Sequence, residues 1–433
     1  MHEVTRIPNQ IKTSFVFLNV LIALLVTSCS STKKIIQKDI SRLINYNAFE
    51  NQFTGFLLVD PQKKDTLFNH NANKYFTPAS NTKIFTLLTA LKSLPEKIPS
   101  LKYITRNDTL FIAGTGDPSA LHSYFKDSTS IAFLKNQGNI ALYFENFQEE
   151  KYGPGWAWDD YQYYYQPERG SFPLYGNVVT LFNSPEKSIT PDYFTDSIIN
   201  LDYALNREAE KNIFYYPVQR EDTLEIPFRT DTTLTRRLLE KLLDKKITHA
   251  TTMPAGKKSI LYSVATDSVL KRMMHESDNF LAEQLMILSS SMLSDTLNFA
   301  KARDHILENE LNGLEQPPRW VDGSGLSRYN LFTPKSMVQV LSKLYAEVSR
   351  ERLLHFFPVG GVNGTLEHWY GADTPYVYAK SGSLGNVYCL SGYLLTKSGK
   401  TLIFSFMNNH FMTPSSEIKQ QMQAIFQGIR DGY

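Results

Sequence analysis

The sequence predicts a mixed α/β (α+β) fold in which a β-rich segment is inserted into an outer α/β unit. Helical patterns predominate before residue 100 and after residue 256. Between them, short apolar runs alternate with Gly, Pro and Asp, which is typical of strands joined by turns. The chain ends with three strand-like runs and a helix. One outer unit with an insert explains this order better than two domains in series.

The outer unit is predicted from both ends of the chain. A helical pattern covers 35–47, and the strand-like runs Phe53–Val59 and Thr66–Phe68 precede a helix that starts near Ser80. Thr333 is expected to cap a helix that begins with Pro334. The remaining predicted elements are helices at Asp267–Glu276, Asn279–Ser290, Leu297–Leu311, Pro334–Val348 and Ser415–Arg430, and strands at Tyr376–Ala379, Val387–Leu395 and Leu402–Met407.

The insert is predicted over 100–256, and it divides the outer unit into 35–99 and 257–433. One amphipathic helix is expected near its end, at Thr233–Lys245. Its strand-like runs are Thr109–Ala113, Ile140–Phe144, Val178–Phe182, Phe214–Val218 and Leu224–Phe228.

Composition excludes several classes of protein. The 433 residues are 42% hydrophobic and include 27 Phe and 24 Tyr, which argues against disorder. The net charge of +2 argues against a nucleic-acid-binding protein, because phosphate contacts need clustered Lys and Arg. Two cysteines exclude a disulfide scaffold, and the nine histidines show no metal-ligand spacing. We therefore expect no metal and no cofactor.

The N-terminus has the pattern of an export signal. Arg6 and Lys12 precede an apolar run over 15–26, which is shorter than the ~20 residues of a membrane-spanning helix. The junction Val26-Thr27-Ser28-Cys29 resembles a bacterial lipobox, in which the Cys becomes the first mature residue and carries lipid. We expect a signal peptide over 1–28, a lipid anchor at Cys29, a tether over 29–34, and a location in the bacterial envelope facing the periplasm. Cys389, in an apolar strand, is expected to be an inert buried thiol.

Ser80 and Lys83 form an S-x-x-K motif at a predicted helix start. Residues three apart share one face of a helix, so the Lys83 amine can reach the Ser80 hydroxyl. A neutral amine there could accept the hydroxyl proton and create a nucleophile. The tetrapeptide also occurs elsewhere in the chain, where surface residues are the simpler explanation. The copy at Ser80 stands out because a strongly apolar helix follows it.

Two more motifs carry reactive side chains. Ser277-Asp278-Asn279 lies between two helical patterns, and taken alone it could be a simple helix cap. Lys380-Ser381-Gly382 ends a predicted strand, where its side chains could face a cleft and Gly382 would let a substrate pair with the strand edge. A second K-S-G at Lys397-Ser398-Gly399 lies between two strand runs and predicts a hairpin turn.

In this order, the three motifs resemble those of penicillin-binding proteins and serine β-lactamases. More specifically, the chain resembles the S13 peptidases, the PBP4-type D-alanyl-D-alanine carboxypeptidase/endopeptidases, over nearly its whole mature length. The long gap between Ser80 and Ser277, which holds the insert, is similar to that family's layout. Further matching segments are Gly114–Pro118, Gly155–Asp160, Asp322–Arg328 and Pro358–Leu366. The resemblance implies a DD-peptidase-like transpeptidase fold.

The resemblance also implies roles for the motif residues. Ser80 would attack the penultimate D-Ala carbonyl and form an acyl-enzyme, with Lys83 as base. Lys380 would help to keep Lys83 neutral by repulsion, and would bind the terminal carboxylate with Ser381. Ser277 would pass a proton to the leaving amine. Asn279 would hold Lys83 and a substrate amide, and backbone N–H groups of Ser80 and Ser383 would form the oxyanion hole.

S13 peptidases often read the side chain of diaminopimelate, which carries an ammonium and a carboxylate. By motif position, Asp160 matches the acidic residue that binds the ammonium and Arg328 the basic residue that binds the carboxylate, with Tyr165 nearby. Asp159 is adjacent, so the choice between the two aspartates stays open. A structural ion pair is an equally good explanation for each of these residues.

The expected function is thus a serine-type D-Ala-D-Ala carboxypeptidase, with or without endopeptidase activity, that acts on peptidoglycan stem peptides and is acylated by β-lactams. A β-lactamase is the first alternative, although the deacylating Glu of class A enzymes has no clear counterpart here. A lipid-anchored wall-binding protein with a dead site is the second. The presence of all the reactive side chains argues against it.

Overall fold

The computed structural model describes residues 51–182, 188–217 and 219–433, with scattered residues between 33 and 49. The predicted signal segment 1–28 and Cys29 lie outside the described residues. A 3-10 turn, Ala79–Thr82, leads into the first labelled helix. The helices are α1 Lys83–Ser93, α2 Thr129–Lys135, α3 Thr232–Leu243, α4 Thr266–His275, α5 Asn279–Leu293, α6 Phe299–Asn309, α7 Pro334–Glu347, α8 Arg350–His355 and α9 Ser415–Gly432.

The strands fall into a central sheet and the sheets of the insert. The central sheet has five strands in the order β13-β14-β15-β1-β2, all antiparallel to their neighbours. The strands are β1 Phe53–Asp60, β2 Asp65–His70, β3 Lys97–Arg106, β4 Thr109–Gly114, β5 Asn139–Tyr143, β6 Val178–Phe182, β7 Ser188–Thr190, β8 Ile198–Ile199, β9 Phe214–Tyr215, β10 Leu224–Pro227, β11 Ile247–Ala250, β12 Ser259–Ala265, β13 Val377–Leu384, β14 Val387–Leu395 and β15 Thr401–Asn409.

The central sheet is covered on both faces, as its apolar strands require. Successive side chains of a strand point to opposite faces. In β1, Leu57 therefore packs in one core with α1 and α4 to α7, whereas Phe56 and Leu58 pack in the other with α9. The same alternation places Cys389 in the first core and Tyr388 in the second. The terminal segments of the outer unit thus fold together around one sheet.

The insert has its own sheet and core. Five strands in the order β11-β5-β4-β3-β12 pack against α2 and α3 around a third cluster of buried apolar side chains. A three-stranded sheet, β10-β6-β7, contributes to the same cluster. β3 begins at Lys97 and β12 ends at Ala265, so the larger sheet extends past both edges of 100–256. The division of the chain at those exact residues stays a prediction.

Most predicted elements of the outer unit are present within a few residues of their expected bounds. Thr333 caps α7, since its Oγ1 accepts from the Ser336 N–H at 2.9 Å. The first K-S-G motif does not end its strand: β13 runs on to Leu384 because pairing with β14 continues through Gly382↔Cys389. The second K-S-G forms the turn between β14 and β15, as expected.

Candidate active site

The predicted motifs converge on one cleft of about 820 Å³. Its walls come from the Ser80 turn, the edge strand β13, the loop 325–328 and the insert. Lys83 and Lys380 lie behind this surface and are fully buried. The predicted site residues that line the cleft are Ser80, Asp160, Tyr165, Ser277, Asn279, Arg328, Ser381 and Ser383.

Lys83 is held at the start of α1 by three acceptors. Its Nζ donates to Ser80 Oγ at 2.9 Å, to Asn279 Oδ1 at 2.7 Å and to the Ser324 carbonyl at 2.7 Å. When the amine is neutral it has two N–H bonds and one lone pair. The two carbonyl oxygens can accept the two N–H bonds but cannot donate. The lone pair is therefore left for the Ser80 hydroxyl, the one partner that can donate a proton.

The surroundings of Lys83 bring its pKa closer to neutral pH. Burial lowers the pKa of Lys83 to about 8, and the nearby carboxylates of Asp322, Glu283 and Asp278 raise it in part. An amine with a pKa near 8 is neutral in a useful fraction of molecules at physiological pH. Burial is the main cause of the lowered pKa, whereas the sequence had suggested only that repulsion by Lys380 contributes.

Lys380 and Ser277 form the second hydrogen-bonded pair. Lys380 Nζ donates to Ser277 Oγ at 2.9 Å and to the Ser381 carbonyl at 2.8 Å. Burial and the repulsion of Lys83 hold the pKa of Lys380 well below its ordinary value. Ser277 has a φ of +58°, a left-handed conformation that is uncommon outside glycine and concentrates at functional sites. The backbone thus presents Ser277 toward the lysine at some conformational cost.

Asn279 connects the motif pairs to the insert. Its Oδ1 accepts from Lys83, and its Nδ2 donates to the Tyr165 carbonyl at 3.0 Å. One N–H of the amide is therefore left for a substrate. The Tyr165 hydroxyl donates to Asp160 Oδ1 at 2.9 Å. Of the two adjacent aspartates, Asp159 and Asp160, it is Asp160 that lines the cleft.

The predicted carboxylate-binding residues lie on β13 and beside it. Ser381 Oγ donates to Thr365 Oγ1 at 2.7 Å, which places two hydroxyl groups side by side in the cleft. Arg328 also lines the cleft, and its Nη2 donates to the Gly385 carbonyl just beyond the end of β13 at 3.1 Å. Thr365 had no predicted role, because it follows a glycine-rich turn that lies outside the three motifs.

Two glycines allow the catalytic segments to approach each other. A Cβ on Gly382 would lie 2.5 Å from the Pro78 carbonyl oxygen and 2.9 Å from the Ser80 nitrogen. A Cβ on Gly325 would lie 1.9 Å from the Ala79 carbonyl oxygen, and its φ of +85° also favours glycine. Gly382 therefore brings β13 against the Ser80 turn. This is a different reason for the glycine from the substrate pairing expected from the sequence.

Two residues near the motifs escaped the sequence interpretation. Asn81 lies within the S-x-x-K motif, and its Nδ2 donates to the carbonyls of Lys380 and Cys389, at 2.9 and 3.3 Å. Glu283 lies one helical turn after Asn279, and its Oε1 accepts from the Ser324 N–H at 2.8 Å. Its other oxygen lies 3.3 Å from Arg169 Nε, in a pair that is almost completely buried. The signal that could have identified Glu283 from the sequence is an acidic residue inside a largely apolar helix.

With this geometry in place, the chain can be compared with known proteins. The model of the D-Ala-D-Ala carboxypeptidase 3 (S13) family matches residues 36–198 and 224–428. The chain belongs to this S13 family. The match includes all three motifs and most of the insert. It confirms the predicted family, and with it the activity class, a serine-type D-Ala-D-Ala carboxypeptidase.

Relatives of this S13 enzyme match along most of the chain. The D-alanyl-D-alanine carboxypeptidase DacB of Haemophilus influenzae is 23% identical in an alignment that is 439 positions long with its gaps. This alignment covers 89% of this chain and 91% of the relative. The crystal structure of penicillin binding protein 4 from the same organism superposes with a TM-score of 0.73 at 20% identity, covering 90% of this chain and 99% of that one. A predatory peptidoglycan endopeptidase of Bdellovibrio bacteriovorus gives a TM-score of 0.52 at 15% identity, over 88% and 93% of the two chains. These likenesses confirm the predicted fold.

Proposed function

We propose that this S13 enzyme removes the terminal D-Ala from peptidoglycan stem peptides, and opens D-Ala cross-links, through an acyl intermediate on Ser80. The arrangement around Lys83 carries the proposal. Two non-donating oxygens accept its N–H bonds at 2.7 Å, and its remaining position faces Ser80 Oγ at 2.9 Å. This is the geometry that a general base needs for a serine nucleophile.

In the acylation step, Ser80 Oγ bonds to the penultimate D-Ala carbonyl carbon while Lys83 Nζ takes the hydroxyl proton. The oxygen of the carbonyl gains negative charge, which backbone N–H groups of Ser80 and Ser383 stabilise. The carbon–nitrogen bond then breaks and the leaving amine takes a proton from Ser277. Lys380, 2.9 Å from Ser277 Oγ, restores that proton. Water then attacks the acyl carbonyl and the ester bond to Ser80 breaks. Ser80 recovers its proton from Lys83, and one proton of the water restores Lys380.

The terminal carboxylate of the substrate binds at β13. The hydroxyl groups of Ser381 and Thr365 supply hydrogen bonds, and the Lys380 ammonium behind them supplies positive charge. On the acyl side, Asp160 and Arg328 line the same cleft and bear opposite charges. That pair suits the ammonium and carboxylate of a diaminopimelate side chain.

Covalent penicillin labelling tests the nucleophile. Fluorescent penicillin should label the purified full-length protein, and Ser80→Ala should abolish the label because no other hydroxyl lies against Lys83 Nζ among the described residues. Ser268→Ala is the matched control, since Ser268 begins another S-x-x-K, is exposed and lies outside the cleft. An unlabelled wild type, or a labelled Ser80→Ala, would contradict the proposal.

Product analysis separates the DD-peptidase from a β-lactamase. Mass spectrometry of muropeptides should show the loss of one D-Ala from pentapeptides in the presence of the wild type. Cleavage of cross-linked dimers would demonstrate endopeptidase action. Penicillin turnover without any change in muropeptides would favour the β-lactamase instead.

We also propose that the protein is a lipoprotein of the cell envelope, held at a membrane through Cys29 and facing the periplasm. The basic and apolar signal pattern and the lipobox-like junction support this. No helix among the described residues is long and apolar enough to cross a membrane. A palmitate analogue should label the wild type metabolically, and Cys29→Ala should lose that label. Equal labelling of Cys29→Ala would refute the anchor, and Cys389→Ala serves as the matched control.

A further inference from the structure

The active-site cleft extends beyond the groups assigned above, along a wall made by the insert and helix α4. We call this part the α4 arm. It is continuous with the cavity at Ser80, and apart from Asp278, whose charge raises the pKa of Lys83, none of its residues has a role in the chemistry proposed above. The arm is defined by six lining residues: His122, Ser123, Glu225, Arg272, Glu276 and Asp278.

Two opposite charges in the arm have unused hydrogen-bonding capacity. Arg272 Nε is buried without a hydrogen-bond partner in the described part of the chain, and Nη1 lies a long 3.9 Å from Glu276 Oε1. The Tyr124 ring, 4.5 Å from the guanidinium carbon, supports the Arg272 side chain in this position. Glu225 accepts a weak bond of 3.3 Å from Ser123 Oγ. Because buried polar atoms without partners are rare, the unpaired Arg272 Nε beside this cavity indicates a ligand.

The arm lies beside the half of the substrate that leaves. Glu276 directly precedes Ser277, to which we assign the proton for the leaving amine, and Arg272 lies about one helical turn before Glu276. Asp160, which we assign to the acyl half, comes from a different segment of the insert than His122, Ser123 and Glu225, and Arg328 comes from the loop 325–328. Because Glu276 adjoins Ser277, we infer that the α4 arm lies on the side of the group attached to the leaving nitrogen.

The size of the leaving group depends on the substrate. When a single pentapeptide is cut, the leaving group is one alanine, which needs no more than the carboxylate site on β13. When a cross-link is cut, the leaving group is a second stem peptide, which carries both carboxylate and amino groups. A wall that carries an arginine with an unpaired Nε and a glutamate that accepts only a long hydrogen bond from Ser123 matches the second case.

We propose that the α4 arm binds the second stem peptide of a cross-linked dimer, with Arg272 on a carboxylate and Glu225 on an ammonium or amide group. The inference rests on the proposed function and deepens it, because it assigns preference for cross-linked substrate to particular residues. His122 adds an uncharged hydrogen-bond donor to the arm. Its Nδ1 accepts from the Tyr124 N–H at 3.1 Å, and the proton of the neutral ring is therefore on Nε2.

The test compares two substrates in the same preparation of full-length protein. We expect the wild type to cleave both a purified cross-linked muropeptide dimer and a single pentapeptide. In Arg272→Gln and in Glu225→Gln, the ratio of kcat/KM for the dimer to that for the pentapeptide should fall about tenfold, as expected for losing one charge-assisted bond. An equal loss on both substrates, or no change in the ratio, would overturn the proposal.

Matched controls come from helix α8, which lies outside the cleft. Arg350→Gln and Glu351→Gln change the same residue types at exposed positions, and they should leave the ratio unchanged. A wild type that cuts pentapeptides but no dimers would overturn the proposal for the α4 arm and leave the carboxypeptidase activity in place. A wild type that takes no penicillin label and cuts neither substrate would also remove the proposed function.

Discussion

At the scale of single residues, the site depends on the control of one buried amine. Lys83 must be neutral to accept a proton, yet it lies near Asp322, Glu283 and Asp278, whose negative charges favour its protonated form. Burial outweighs them and lowers its pKa to about 8. Lys380 adds positive charge from the side of β13, where its own pKa is also depressed. The reactivity of Ser80 thus depends mainly on the burial of Lys83, which the neighbouring carboxylates offset in part.

Glu283→Gln should shift the pH dependence of acylation to lower pH by about one unit. Burial raises the pKa of Glu283, and Arg169, with its Nε 3.3 Å from Oε2, opposes this effect and favours the carboxylate. Removing that negative charge lowers the pKa of Lys83 further, so Lys83 becomes neutral at a lower pH. The limb of the profile that rises with pH should move accordingly, as measured by the rate of penicillin acylation from pH 5 to 9.

An exposed glutamate provides the control for this experiment. Glu351→Gln removes a charge of the same kind on α8 and should leave the profile in place. A profile that is unchanged in Glu283→Gln, or that moves to higher pH, would show that Glu283 does not act on Lys83 as proposed.

At the scale of elements, catalysis depends on how closely β13 approaches the turn at 79–82. Asn81 bonds to the carbonyls of β13 and β14 from within the turn, and Gly382 has no side chain to hold the two apart. The distance between Ser80 and the K-S-G motif is therefore fixed by contact between two backbones. Small displacements of reacting groups are costly in enzymes.

Gly382→Ala should reduce the rate of penicillin acylation about 100-fold while the protein remains folded. The new Cβ would lie 2.5 Å from the Pro78 carbonyl oxygen, so β13 has to move away from Ser80. Acylation kinetics and circular dichroism measure the two effects separately. Gly428→Ala in α9 is the control, since its Cβ meets no atom within 4 Å and alanine favours a helix. Acylation at the wild-type rate in Gly382→Ala would contradict this account.

At the scale of the whole molecule, the central sheet separates a catalytic face from a supporting face. Ala79 and α1 pack in the core on one side, and α9 covers the other. Phe426 of α9 is fully buried and contacts Phe404 and Phe56 across the second core, with ring centroids 4.7 and 6.4 Å apart. Tyr388 of this core and Lys419 of α9 line part of the cleft, whereas Phe426 is not among the lining residues.

Phe426→Ala should lower the free energy of unfolding by about 3–5 kcal/mol, since it leaves a large cavity in that core. The acylation rate of the molecules that remain folded should stay within twofold of the wild type, because the change lies on the far side of the sheet. Urea unfolding and penicillin labelling of the folded fraction measure the two quantities. Met412→Ala, at a position 89% exposed, should change stability by less than about 0.5 kcal/mol. A selective loss of acylation in Phe426→Ala would contradict the separation of the two faces.

Much of the fold could be predicted because its signals are local. The cap at Thr333, the alternation in β14 and β15 and the apolar face of α1 depend on residues within one or two turns of each other. The bounds of β13 were less accurate, because a strand continues wherever its neighbour pairs with it. That neighbour is β14, whose register extends the strand to Leu384.

The sequence by itself determined which reactive groups exist and in what order, because motif spacing and side-chain chemistry depend only on the identity and order of the residues. Ser80, Lys83, Ser277, Asn279 and Lys380 were all named from it, and the fold brings them together. Only the tertiary structure decided that burial sets the pKa of Lys83, and that Glu283 and Asn81 support the site. It alone placed Arg272 and Glu225 in the α4 arm of the cleft. These properties arise from distances between segments far apart in sequence, and a local pattern carries no information about them.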